Sequence, residues 1–185
     1  RYEPNKTLPL AVTVNRMEFD ANWKQCAPMF AGLDFNNLFV AGGSILGCIL
    51  PGFLEKPGFV EKGVAGVNGF VDSDIDVFIH GLAPRQAFDK LVYVLAFLSR
   101  AMGSKGDVLV SDNCVTLLGV YPFRHVQVVL RCYRSPAEVL LGFDVDSCAV
   151  GFDGEQVWGC PRAVRALRHR VNVVDLSRRS LTYEK

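Results

Sequence analysis

Two short stretches of this 185-residue chain hold residue types that could do chemistry. The first is Asp74-Ile75-Asp76, set in the run Asp72-Ser73-Asp74-Ile75-Asp76-Val77-Phe78-Ile79. Its apolar and β-branched residues predict a strand. In a strand, residues two apart share a face, so Asp74 and Asp76 project side by side, with Ile75 and Val77 on the other face. Two close carboxylates repel unless a cation lies between them. Oxygen ligands on a rigid strand suit Mg²⁺ or Mn²⁺. The second stretch is Gly42-Gly43-Ser44, where the apolar run Phe39-Val40-Ala41 breaks before helical apolar residues resume. A turn of small residues at a helix start can offer backbone N–H groups to a phosphate, which makes Gly42, Gly43 and Ser44 candidate phosphate-binding residues. The alternative for Ser44 is capping of the helix that follows. A phosphate turn and a metal pair in one module point to phosphoryl or nucleotidyl transfer.

These residues must be positioned by a fold, and the order of elements suggests one. Leu38–Ala41 predicts a strand, followed by a short helix that ends at Pro51-Gly52. Residues 51–70 carry two prolines and five glycines, so they read as a loop inserted between the two motifs. That loop is a plain surface connection or a mobile element, with Lys56 or Lys62 near phosphates. After the Asp74–Ile79 strand, Pro84–Met102 has Phe88, Leu91, Val92, Leu95 and Leu98 at helical spacing. Short strands follow at 107–110, 114–120 and 125–131, then a helix at 137–141 capped by Ser135. Phe143–Phe152 reads as one strand, Asp153-Gly154 as a hairpin turn and Gln156–Trp158 as its partner. Residues 1–15 predict an extended arm, about Arg16 to Phe30 a helix broken near Pro28, and 161–185 a basic, helical C-terminal segment. Strands interleaved with helices predict an α/β (α+β) domain, a mixed sheet flanked by helices. The length fits one domain. The chain ends inside a predicted helix, as expected of a domain accompanied by others in a longer chain.

The two motifs together resemble the signature of the polymerase-β-like nucleotidyltransferase superfamily. The resemblance spans about Leu38 to Val150, and its specific content is Gly42-Gly43-Ser44 and Asp74-Ile75-Asp76. It implies a nucleotidyltransferase-type sheet that binds a nucleoside triphosphate, ATP foremost, through Mg²⁺ or Mn²⁺. It also implies transfer of a nucleoside monophosphate to an acceptor hydroxyl, with release of pyrophosphate. The acceptor classes are an RNA end, a protein and a small molecule. The family's metals are usually held by the paired aspartates and a third carboxylate on a neighbouring strand. Here that strand is Val126–Leu130, and its inward position is Gln127, a neutral amide. This departure supports an alternative: a catalytically impaired module that senses nucleotides or binds a protein. Asp144 and Asp146 stand two apart in the next predicted strand and are candidates for the third ligand. Otherwise Asp144 caps and Asp146 pairs with an arginine such as Arg131.

Composition excludes some classes. The formal net charge of +1 gives no strong signal for a nucleic-acid track. No apolar run is long enough to span a membrane. Six scattered cysteines, without a Cys-x-x-Cys pair, suggest reduced thiols and a cytoplasmic or nuclear setting.

Overall fold

The structure, a computed structural model, describes residues 14–51, 73–103 and 107–173. The loop at 51–70 and the helix expected after Ser177 lie outside the described residues, apart from Pro51; so does the N-terminal arm, apart from Val14 and Asn15.

The first helix, α1 (Arg16–Cys26), begins at a capping box. The Asn15 side chain accepts from the Glu18 N–H at 3.0 Å, and Glu18 accepts from the Asn15 N–H at 3.1 Å. Phe19, Asn22, Trp23 and Cys26 repeat at helical spacing and form its buried face. Pro28 stops the helix, and a single 3-10 turn, Pro28–Phe30, replaces it. Strand β1 (Leu38–Ala41) runs into α2 (Gly43–Ile49) through Gly42. Strand β2 (Ile75–His80) leads to α3 (Pro84–Ala101). Then come β3 (Val108–Val110), β4 (Cys114–Leu117), β5 (Val126–Tyr133) and α4 (Pro136–Leu141). The hairpin β6 (Val150–Phe152) and β7 (Val157–Gly159) precedes α5 (Pro161–His169).

The seven strands form one sheet in the order β3-β4-β5-β2-β1-β6-β7. Among the described residues only β2 and β5 pair in parallel; every other neighbouring pair is antiparallel. The expected mixed α+β class is therefore what the chain adopts. One sheet face, with Leu38, Val40, Ile75, Val77, Val126 and Val128, joins the main core with residues of α1, α2 and α3. The other face carries a smaller cluster of Phe39, Ala41 and Phe78 with Val139 and Leu140 of α4.

Two expectations fail in detail. On α3 the buried stripe is Ala87, Leu91, Val94 and Leu98, whereas Phe88 and Val92 are 60% and 50% exposed. Both sets have near-helical spacing, but a helix buries only one stripe against a sheet. The stripe holding Ala87, the smaller residue, lets α3 approach the strands. The second failure is Phe143–Phe152, which is not one strand. A 3-10 turn at Asp146–Cys148 interrupts it, and only Val150–Phe152 joins the sheet. The buried carboxylate of Asp146 bonds to Arg162 and Arg165 of α5, and this turns the chain away from the ladder.

Gly151 marks where β6 meets β1. A Cβ there would lie 2.2 Å from the Phe39 ring and 2.9 Å from the Val40 carbonyl oxygen. The ring is fully buried and the carbonyl is backbone, so neither gives way easily. Gly151→Ala is expected to destabilise the fold by about 1–3 kcal/mol, the usual cost of overpacking. A shift of the urea unfolding midpoint measures it.

Candidate active site

The parallel pairing of β2 with β5 and its antiparallel pairing with β1 build the site. Asp76 faces Ala41 on β1 and Gln127 on β5, and Gln127 faces Thr116 on β4. Side chains paired across strands share a face, so Ala41, Asp76, Gln127 and Thr116 form a row on the face that α4 covers in part. Asp74 precedes the strand by one residue and reaches the same row: Gln127 Nε2 donates to its Oδ2 at 2.5 Å. The two carboxylates are thus neighbours, and the amide of Gln127 stands where the resemblance calls for a third carboxylate.

The glycine turn closes against this row. Gly42 adopts φ +94°, a left-handed conformation that favours glycine. Its N–H donates to the Val150 carbonyl at 3.0 Å, which ties the turn to β6. A Cβ on Gly42 would lie 3.2 Å from the Phe143 ring and 3.5 Å from Asp76 Oδ2. The motifs that the sequence separates by some thirty residues are therefore adjacent, with room for little more than a methyl group between Gly42 and Asp76. Gly43 is half-buried and opens α2. Ser44 is 1% exposed, and its hydroxyl has no partner among the described residues. No side chain caps α2, so the alternative of a Ser44 cap is not realised.

Electrostatics single out Asp76. Burial, and then the neighbouring charge of Asp74, push its carboxyl up to about 6. The thiol of Cys148 is also raised, by burial first and then by the negative charges of Asp144 and Asp76, against a hydrogen bond to Ser147. Asp144, Cys148 and Asp76 thus share one neighbourhood. Asp144 is half-buried and accepts from the N–H of Val145 at 2.9 Å.

Asp146 is elsewhere. It is 5% exposed and bonds Arg162 at 3.0 Å and Arg165 at 2.7 Å, and it accepts from the Val173 N–H at 3.2 Å. Its partners are these arginines rather than Arg131, which pairs with Glu138. The expectation that Asp144 and Asp146 lie side by side on a strand is corrected: the 3-10 turn separates them, leaving Asp144 near the site and Asp146 within an ion-pair cluster. Phe143, which covers Gly42 and meets Phe78 edge-on with ring centroids 6.0 Å apart, was not foreseen as part of the site. Nothing in its local sequence marks it, because its role comes from Arg162. That guanidinium donates to the Phe143 carbonyl at 2.6 Å and to the Leu140 carbonyl at 2.9 Å.

Among the described residues, no group of three or more His, Cys, Asp and Glu side chains is gathered as a metal cage. Mg²⁺ is commonly held by one or two carboxylates with substrate phosphates and water completing its shell. Asp74 and Asp76 provide that minimum. They fit one hard cation brought with a polyphosphate, and Gln127 leaves a second cation without an anionic ligand on β5.

The described residues thus form a mixed-sheet α+β domain with a carboxylate pair set against a glycine turn. Residues 13–170 match the family model described as Gad2, Gabija anti-defense 2 family protein, and the chain belongs to that family. It is also similar to the uncharacterized protein R883 of Acanthamoeba polyphaga mimivirus, at 28% identity over 189 residues. The alignment covers 94% of this chain and 38% of the viral protein, so the chain spans well under half of that relative's length. No helix among the described residues is long and apolar enough to cross a membrane.

Proposed function

We propose that the chain is a nucleotidyltransferase of the polymerase-β-like type, binding a nucleoside triphosphate, ATP foremost, at the Gly42–Asp76 site. The observation that carries this reading is the closeness of the glycine turn to Asp76, whose Oδ2 would lie 3.5 Å from a Cβ built on Gly42. That arrangement brings a phosphate-compatible backbone against two carboxylates. Asp74 and Asp76 would hold Mg²⁺ or Mn²⁺, and the Gly42–Ser44 turn would face the phosphates. The bound cation would supply charge neutralisation on the triphosphate and activation of the attacking hydroxyl. In the reaction an acceptor hydroxyl attacks the α-phosphate, the bond to the β-phosphate oxygen breaks, and pyrophosphate leaves. For a family described as acting against Gabija, the modified or bound molecule is then the point of interference. RNA ends, proteins and small molecules are the acceptor classes. A cytoplasmic or nuclear setting goes with this reading and with the free cysteines.

A second reading rests on Gln127. With an amide in contact with Asp74 in place of a third carboxylate, the module in this reading keeps nucleotide binding and loses transfer, serving as a sensor or interaction domain. Calorimetry with ATP, with and without Mg²⁺, together with a pyrophosphate assay on the same preparation, separates the two. Transfer predicts Mg²⁺-dependent binding and pyrophosphate release. A sensor predicts binding alone. No binding of any nucleoside triphosphate would remove both readings.

A further inference from the structure

A groove of about 380 Å³ lies at the β7 end of the sheet. Phe19 of α1, Ile49 of α2, Val150 of β6, Val157 of β7, and Val164 and Leu167 of α5 line it. Val150 belongs to the main core, so the groove opens on the sheet face away from Asp74 and Asp76. Ile49 and Val150 are buried beneath it, whereas Val157 and Val164 are 40% and 48% exposed. Gly159 keeps the groove open between them. A Cβ there would already lie 3.8 Å from Val164 Cγ2 and 3.7 Å from Val150 Cγ1.

The strand beside the groove has a free backbone edge. β7 is the last strand of the sheet, and among the described residues no strand pairs with its outer side. In the β6–β7 ladder Trp158 faces Gly151. Two bonds flank this pair: the Asp153 N–H donates to the Gln156 carbonyl at 3.2 Å, and the Cys160 N–H to the Ala149 carbonyl at 3.3 Å. Antiparallel bonds alternate along a strand. Trp158 therefore turns its backbone groups to β6, and Val157 and Gly159 turn theirs outward. An outward row of N–H and C=O groups beside an apolar groove is the arrangement by which an extended peptide adds to a sheet.

Charge selects the kind of peptide. Arg165, Arg168 and Arg170 are exposed on and just after α5. Arg168 stands one helical turn after Val164 and so flanks the groove on the same side of the helix. At the α1 end Arg16 lines the groove, and its guanidinium is already engaged by Asp20 at 2.8 Å and by the Glu155 carbonyl. The cationic rim open to a partner is thus the α5 side. We propose that this groove docks a protein partner through an extended acidic peptide segment, which adds to β7 as a further strand. Its side chains two apart share a face, so apolar ones enter the groove between Val157 and Val164. A carboxylate beside them meets Arg168. The surface is separate from the carboxylate site and does not depend on nucleotide chemistry.

The test selects a phage-displayed library of random peptides about ten residues long, the length of a strand, on the full chain. Calorimetry then measures the selected peptides in synthetic form, with no nucleotide present. The expected sequences alternate apolar residues and carry Asp or Glu. Binding should weaken about tenfold or more in Val164→Glu, the loss that removal of an interface anchor gives. In Arg168→Glu it should weaken too and become less sensitive to salt. Bound peptide should shift the amide resonances of Val157 and Gly159. A melting temperature equal to wild type shows that each variant is folded; if Val164→Glu is not, Arg168→Glu decides alone. The proposal is overturned if no peptide is enriched or if both folded variants bind as wild type does. It is also overturned if the groove proves to hold a second copy, seen as a dimer that Val164→Glu dissociates, or residues 1–13 of the chain itself, seen as cross-links to Val164→Cys.

Discussion

Replacing Asp146 with alanine is expected to cost the fold about 3–5 kcal/mol, the usual penalty for breaking a buried ion pair by removing one partner. Against a typical total of about 5–15 kcal/mol, that is a large share. The carboxylate is 5% exposed and is met by Arg162, Arg165 and the Val173 N–H. Arg162 matters most: its side chain is 16% exposed, and it also binds the Leu140 and Phe143 carbonyls. Without Asp146 its charge stays buried and uncompensated. Arg165 is half-exposed and adds little, because water screens it. Asp146→Asn should cost less, since it keeps the shape and one acceptor oxygen.

The pH dependence has a definite sign. Burial raises the Asp146 carboxyl, but the bonds from Arg162, Val173 and Arg165 outweigh it, and the native value lies below that of an ordinary aspartate. The stabilisation is therefore complete above the unfolded value, near pH ~4. It is lost as pH falls through the depressed native value. The gap between wild type and Asp146→Ala in urea midpoint should be constant at neutral pH and narrow in acid. An Asp146→Ala unfolding free energy within about 0.5 kcal/mol of wild type, the range of ordinary surface substitutions, would mean that the cluster is ornamental.

This cluster also shows where sequence reading stops. Elements with a local cause were legible: the Pro28 break, the Leu38–Ala41 strand, the Gly42 turn and the Ser135 cap each follow from residues within a few positions. The approach of Gly42 to Asp76 follows once both motifs are placed in one sheet. Gln127 was legible as well, because period-two alternation along β5 fixes its face. Asp144 and Asp146 were not. Their spacing is strand-like, and only the arginines of α5, sixteen and nineteen residues beyond Asp146, break the strand. Phe143 likewise joins the site because a distant guanidinium holds its carbonyl. On α3, periodicity identified a helix but not which of two apolar stripes the sheet would accept.

The second large effect concerns catalysis and separates the three members of the Asp74–Asp76–Gln127 row. If the proposed transfer occurs, Asp74→Ala or Asp76→Ala should lower pyrophosphate release by about a thousandfold or more. The reasoning is that a metal ligand underwrites several kcal/mol of transition-state stabilisation, at about 1.4 kcal/mol per tenfold. Gln127→Glu should act in the opposite direction. It faces Asp76 across the parallel ladder and touches Asp74, so a carboxylate there completes a three-anion set. Without a cation, three neighbouring carboxylates repel and the variant should unfold at lower temperature than wild type. With Mg²⁺ the order should reverse, because a ligand that binds only the folded state stabilises it by mass action. Melting curves with and without Mg²⁺ read this without any assumption about the acceptor. If the amide is what limits transfer, Gln127→Glu should also raise pyrophosphate release by about ten- to a hundredfold, as added charge stabilisation of a few kcal/mol implies. A variant that melts alike with and without Mg²⁺, beside an Asp76→Ala protein that keeps its turnover, would sink the assignment of this row as a metal–nucleotide site.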